Sequence, residues 1–119
     1  MLHPSPRSSA MDEPWMETLA PVFHVVAVDT PGYGGSDPLP IPVTQLSDYL
    51  APLCALLQTV AGPQCLLYGS ATGAQLGIAF ANRHPGAVKH LLLSTCSWTT
   101  QRTLTTPSAG TSWRVISPI

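Results

Sequence analysis

The residues that could do chemistry in this chain gather at one turn. Gln64-Cys65-Leu66-Leu67-Tyr68 is a short apolar run, Gly69-Ser70-Ala71-Thr72-Gly73 follows, and a helical pattern begins directly after it. A strand turning sharply into a helix, with a glycine on either side of the tip, holds the tip side chain out at a helix N-terminus. Ser, Cys or Asp at such a tip serves as a nucleophile. Here the tip is Ala71, which has no oxygen, sulfur or carboxylate to attack with. Gly69 and Gly73 are what a strained turn with close strand–helix approach requires. Ser70 carries a hydroxyl but sits one residue early, on the strand, and reads as a hydrogen-bonding neighbour.

A second glycine-rich stretch, Asp29-Thr30-Pro31-Gly32-Tyr33-Gly34-Gly35-Ser36-Asp37, follows an apolar run. A dinucleotide-binding loop would need a helix after it and a third spaced glycine; a proline-broken connection follows instead. The turn at Gly69 opens a helix, but Gln75 stands in the third glycine's place, so nucleotide binding is the weakest reading. Asp29 and Asp37 read as turn carboxylates, with Gly32 and Gly34 as turn glycines. His24, His84 and His90 have no ligand spacing, so neither a metal nor a cofactor is expected.

The elements that must position the turn are legible in the periodicity. Asp12 caps a short helix reaching about Ala20, with Glu13 and Pro14 in its first turn and Trp15, Met16 and Leu19 facing the core. Phe23–Val28 reads as a strand buried on both faces. A helix over about Thr44–Val60 carries Leu46, Tyr49, Leu50, Leu53, Leu57 and Val60 at i, i+3, i+4, i+7 spacing, capped by Thr44 and stopped by Gly62-Pro63. The turn's own strand (Gln64–Tyr68), a helix over about Thr72–Asn82 and a strand over Val88–Leu93 complete β-α-β order. From about Thr95 the chain is rich in Ser and Thr, without Asp, Glu or periodicity, and no structure is assigned to it.

Composition excludes several functions. Of 119 residues, 45% are apolar and only 9% charged, against about 25% charged in ordinary globular chains. Net charge is −1 with no basic patch, which argues against nucleic acid and charged membrane surfaces. No apolar run approaches the ~18 residues of a membrane span, and Met1–Pro6 lacks the apolar core of a signal segment. Cys54, Cys65 and Cys96 are widely spaced and odd in number, the pattern of buried thiols in a reducing cytoplasm.

Taken in order, His3-Pro4-Ser5-Pro6, the Asp29–Asp37 block, Gly69-x-x-x-Gly73 and Arg83-His84-Pro85 resemble the α/β-hydrolase superfamily, in the branch of haloalkane dehalogenases, epoxide hydrolases and carboxylesterases. The resemblance covers about residues 2–98. It implies that Gly69–Gly73 is the nucleophile elbow and Ala71 its substituted nucleophile position. It implies oxyanion donors at the N–H groups of Ser5 and Thr72, with His3 beside them in the substrate-binding loop, where Pro4 replaces the family's usual glycine. It also implies an acid and a histidine further along the chain. No carboxylate follows Asp48, and neither His84 nor His90 stands where that base would. In the family's sheet, the strand ending at His3 lies between Phe23–Val28 and the elbow strand, and only Met1 and Leu2 of it are present. The two flanking strands are thus expected to leave a gap or pair directly.

The expectation is an incomplete α/β-hydrolase fold: a partial domain over 1–98 and an unpatterned tail over 99–119. The parent activity implied is hydrolysis of an ester, epoxide or carbon–halogen bond in a small molecule, here lost in an inactive fragment or pseudoenzyme. A frameshift near Thr100 would account for the compositional break. The competing reading is a binding or assembly module that completes its sheet with a complementary chain.

Overall fold

The computed structural model describes residues 1–94; the expected tail over 99–119, with Cys96, Trp98 and Trp113, lies outside the described residues. The chain enters through Leu2 and passes a 3₁₀ turn at Ser9–Asp12 into α1 (Glu13–Leu19). A long irregular stretch leads to a 3₁₀ turn at Leu46–Tyr49 and α2 (Leu50–Val60). Then come β1 (Cys65–Ser70), α3 (Thr72–Arg83) and β2 (Val88–Ser94). β1 and β2 are parallel, with Leu67 opposite Leu91 and Gly69 opposite Leu93, as the β-α-β reading requires.

The core is the seam between α3 and this sheet. Leu67, Leu91 and Ala74 are at most 1% exposed, and Leu76, Ile78 and Phe80 fill in from the helix. The stripe read along α2 meets it: Leu53 and Leu57 are buried, while Leu46, Tyr49 and Leu50 pack against the cluster. Burial of this kind, about 1.5–3 kcal/mol per large apolar side chain, holds the elbow in place.

Leu2 fills the position between the flanking strands, so they neither gap nor pair directly. It forms parallel bridges to Val28 on one side and Gly69 on the other. Its N–H donates to Tyr68 O at 2.9 Å, and its carbonyl accepts from Ser70 N–H at 3.1 Å.

Several local expectations need correction. Phe23–Val28 is not a strand: only Val28 is bridged, and Val22 and Phe23 are 77% and 47% exposed. Among the described residues its bridging partner is Met1–Leu2, too short to continue a ladder; Val28 N–H reaches Met1 O at 3.1 Å and the Met1 ammonium reaches Val26 O at 2.6 Å. His24 is accordingly an exposed loop residue, whereas His90 does lie on a strand. Trp15 is 61% exposed, because α1 packs only against the 3₁₀ turn before it. The Asp12 side chain makes no capping bond and is buried at 4% exposure, with Oδ2 unpartnered.

The helix expected from Thr44 is split. Pro52 has no N–H to donate to the carbonyl of Asp48, so the preceding turn tightens to 3₁₀ and the α-helix proper begins at Leu50. Gln45, not Thr44, is the capping residue. The Asp48 carboxylate reaches back to accept from the N–H groups of Thr44 at 2.9 Å and Gln45 at 3.1 Å.

Candidate active site

Ala71 has φ 50° and ψ −113°, and it is the one non-glycine residue with positive φ among those described. An alanine gains nothing locally from that conformation, which costs of order 1–3 kcal/mol and persists only where its surroundings impose it. Three features impose it. The Ala71 N–H donates to Ser94 O at 3.0 Å, its carbonyl accepts from Ala74 and Gln75 at 3.0 and 3.2 Å, and close backbone approaches lock both sides. A Cβ on Gly69 would overlap the carbonyl of Gly73 and lie 2.8 Å from Ala74 N. A Cβ on Gly73 would overlap the carbonyl of Leu2 and lie 2.7 Å from His3 O. Both glycines are therefore required by contact rather than by dihedral angle. The elbow is built in full around an alanine.

The loop after Leu2 comes to the same place. Ser5 N–H donates to Thr72 Oγ1 at 2.5 Å, joining residues 67 apart in sequence. Thr72 is the first residue of α3, so its own N–H has no intrahelical acceptor. Two backbone donors thus meet at a helix N-terminus, a layout that stabilises negative charge on oxygen. One of them is at present satisfied by a hydroxyl.

His3 holds the loop from behind. It is 1% exposed; Nε2 accepts from Thr30 N–H at 3.0 Å, which leaves Nδ1 to donate to Pro4 O at 3.0 Å. Its ring also lies edge-on to Tyr33, with centroids 5.8 Å apart. The glycine-rich block is fixed in turn by Asp29, whose carboxylate accepts from Ser9 N–H at 2.7 Å and Gly35 N–H at 2.9 Å. Those bonds, from Gly35 first and then Ser9, hold its carboxyl below the usual range. Gly34, at φ 53°, passes so close to this carboxylate that a Cβ would overlap it; Gly32, at φ 87°, turns the chain beside it. Asp37 contributes its backbone carbonyl to Gly32 N–H at 3.1 Å and not the side-chain bond expected of it.

The walls between these parts enclose a cavity of about 360 Å³, lined by His3, Ser5, Tyr33, Gln45, Tyr49 and Thr72 among others. Sequence reasoning placed His3, Ser5 and Thr72 together but missed Gln45 and Tyr49, which read only as helix-surface and core positions. A groove of about 1110 Å³ between α1 and residues 20–29 holds neither Ser5 nor Thr72, and the Ala71 tip lines neither space. Among the described residues, no His, Cys, Asp or Glu cluster could hold a metal.

The triad positions are otherwise unfilled within residues 1–94. His84 caps the far end of α3 against Phe80, a helix length of about 18 Å from the elbow. His90 stands opposite Leu66, about 13 Å back along the strand from Ser70.

The sequence model of the alpha/beta hydrolase family matches residues 1–118. The chain belongs to that family. It is 32% identical over 85 residues to 2-(acetamidomethylene)succinate hydrolase of Mesorhizobium japonicum, covering 71% of this chain and 30% of that protein. Among solved structures, a loop variant of the haloalkane dehalogenase DbeA from Bradyrhizobium elkanii superposes with a TM-score of 0.71 at 31% identity, over 79% of this chain and 31% of that one. A thermophilic esterase from Thermogutta terrifontis gives 0.68 at 28% identity, over 80% and 35%. This alpha/beta hydrolase chain thus spans about a third of the length of the relatives it matches.

Proposed function

We propose that this chain carries the binding half of a hydrolase site, and that it does not turn over substrate through a covalent intermediate at its elbow. The carrying observation is Ala71: the strained elbow conformation is kept while the side chain that would attack is a methyl group. The Ser5 and Thr72 backbone N–H groups would hold a carbonyl or developing oxyanion of a small ester-like, epoxide or halide ligand. The Thr72 hydroxyl must first leave the Ser5 N–H. The relatives named above, a succinate-derivative hydrolase, a haloalkane dehalogenase and an esterase, support a small-molecule ligand. Free Cys54 and Cys65 support a reducing compartment, and no helix among the described residues is long and apolar enough to cross a membrane.

The test uses Ala71→Ser with an activated aryl ester. The parent chain should release no stoichiometric burst. The variant should acylate slowly, to at most one equivalent, and stall, because neither His84 nor His90 reaches the elbow. Loss of the base and acid lowers turnover by about 10⁴-fold or more. Sustained turnover by Ala71→Ser at triad-like rates, or turnover by the parent chain that Thr72→Pro abolishes, would overturn the proposal.

A further inference from the structure

The charge around the elbow cavity says which relatives' ligands it can share. None of the described side chains that line it is Lys, Arg, Asp or Glu; their polar groups are hydroxyls, one amide and one imidazole. The imidazole is His3, which accepts a hydrogen bond through Nε2 and so stands in the cavity wall as a neutral ring. The fixed charge that hydrogen bonds tie to these walls is negative, and a second carboxylate lies next to them along the chain. Asp48 accepts from the backbone N–H groups of the lining residues Thr44 and Gln45, and from Thr44 Oγ1 at 3.3 Å. Asp29 precedes the lining residue Thr30, while its carboxylate accepts from Gly35 and Ser9, which line the neighbouring groove. Backbone N–H bonds, from Thr44 first for Asp48 and from Gly35 first for Asp29, hold both carboxyls below their usual range, so both are ionised at neutral pH.

An anion entering this cavity would therefore meet two backbone donors at its floor and the Asp48 carboxylate behind one wall, with no cation among the described lining residues. A dicarboxylate needs paired cations or several convergent donors to offset its desolvation. Asp48 has already taken the Thr44 and Gln45 N–H groups that could have served as such donors. A neutral carbonyl compound needs only the Ser5 and Thr72 donors at its oxygen, with Tyr33, Tyr49 and Leu76 supplying flat and apolar wall. The volume, at the small end of ligand sites, fits a compact molecule.

From the uncharged lining and the flanking carboxylates we infer that the cavity selects neutral carbonyl compounds and rejects dicarboxylates, in contrast to the succinate-derivative substrate printed in the name of the Mesorhizobium relative. This inference rests on the site reading above and narrows it to a ligand class.

A matched pair tests it: dimethyl succinate, which is neutral, and succinate, its dianion. Each is titrated into the isotope-labelled full chain near neutral pH while the backbone amide signals of Ser5, Thr72 and Gln45 are followed by NMR. Dimethyl succinate should move those signals and bind about tenfold or more tightly than succinate. Equal or tighter binding of succinate at the same amides would overturn the ligand class while leaving the site reading intact. No movement of those amides with either compound would overturn the site reading and the class together. Asp48→Asn keeps an acceptor for Thr44 and Gln45 but removes the charge. It should raise succinate affinity severalfold and leave dimethyl succinate unchanged; no gain for succinate would overturn the electrostatic argument.

Discussion

At the scale of single residues, Ala71 and Asp12 are each held at a cost, for different reasons. Ala71 sits at φ 50° and ψ −113°, a conformation glycine adopts freely and alanine does not. Ala71→Gly should therefore stabilise the chain by about 1 kcal/mol, the relieved strain exceeding the entropy of the added glycine. A chemical denaturation midpoint that falls instead would show that the elbow is not strained. Asp12 is buried with one oxygen unpartnered, and burial raises its pKa while the Met1 ammonium offsets part of the shift. A carboxyl whose folded pKa is raised penalises the fold once pH rises through that value, and the penalty is absent below the unfolded pKa of about 4. Asp12→Asn should thus stabilise by about 1 kcal/mol near pH 7 and by nothing measurable below about pH 3.5. Asp29 has the opposite sign: its pKa is lowered, so its contribution is present above about pH 4 and lost as pH falls through the folded value. Neither the Asp12 burial nor the Ser5–Thr72 bond was legible in sequence, since both depend on partners brought together by the fold. The types at positions 69, 71 and 73 were legible, because the turn's chemistry is local.

At the scale of elements, what the sequence revealed was whatever is settled within about a dozen residues. The α2 stripe, α3 and β2 follow from periodicity and from glycine and proline at their ends, and they stand close to where the pattern put them. Phe23–Val28 has the composition of a buried strand, yet strand structure belongs to a pair, and its partner among the described residues is two residues long. Trp15 has the spacing of a core residue, but among the described elements α1 packs against the 3₁₀ turn alone and leaves it exposed. The break before Leu50 follows from Pro52, whose missing donor outweighs the helical run of leucines. The junction that matters most is where α3 crosses the Leu2–His3 backbone at Gly73, because the elbow, the helix and the oxyanion loop are all fixed there. Gly73→Ala places a methyl group within the Leu2 carbonyl. It should cost at least about 2 kcal/mol, and it should free Ser70 N–H from Leu2 O, seen as faster hydrogen exchange at Ser70 than at Leu67. A Gly73→Ala chain of parental stability would mean that the helix and loop can separate without loss.

For the whole molecule, the constraint is that the described residues of a chain about a third as long as its relatives leave several large apolar side chains uncovered. Val22, Phe23, Trp15 and Leu66 are 77%, 47%, 61% and 46% exposed, and the formal net charge is only −1. Large apolar side chains at the margins of a small sheet, with little charge to keep copies apart, favour association between molecules. Leu66 is the telling position. It lies on the face of β1 opposite the α3 seam that buries Leu67, so its exposure reports a sheet face rather than a frayed loop. The weight-average mass from sedimentation should rise across a roughly tenfold concentration series near neutral pH. Leu66→Lys combined with Phe23→Lys should return the chain to monomer while leaving the α3 seam intact. If the parent chain stays monomeric throughout, these side chains are tolerated in water, and the sheet needs no further cover to persist. If the double variant still associates, contact runs through Val22, Trp15 or the backbone edge of β2, and a proline at Lys89 or His90 that stops it would assign the contact to that edge.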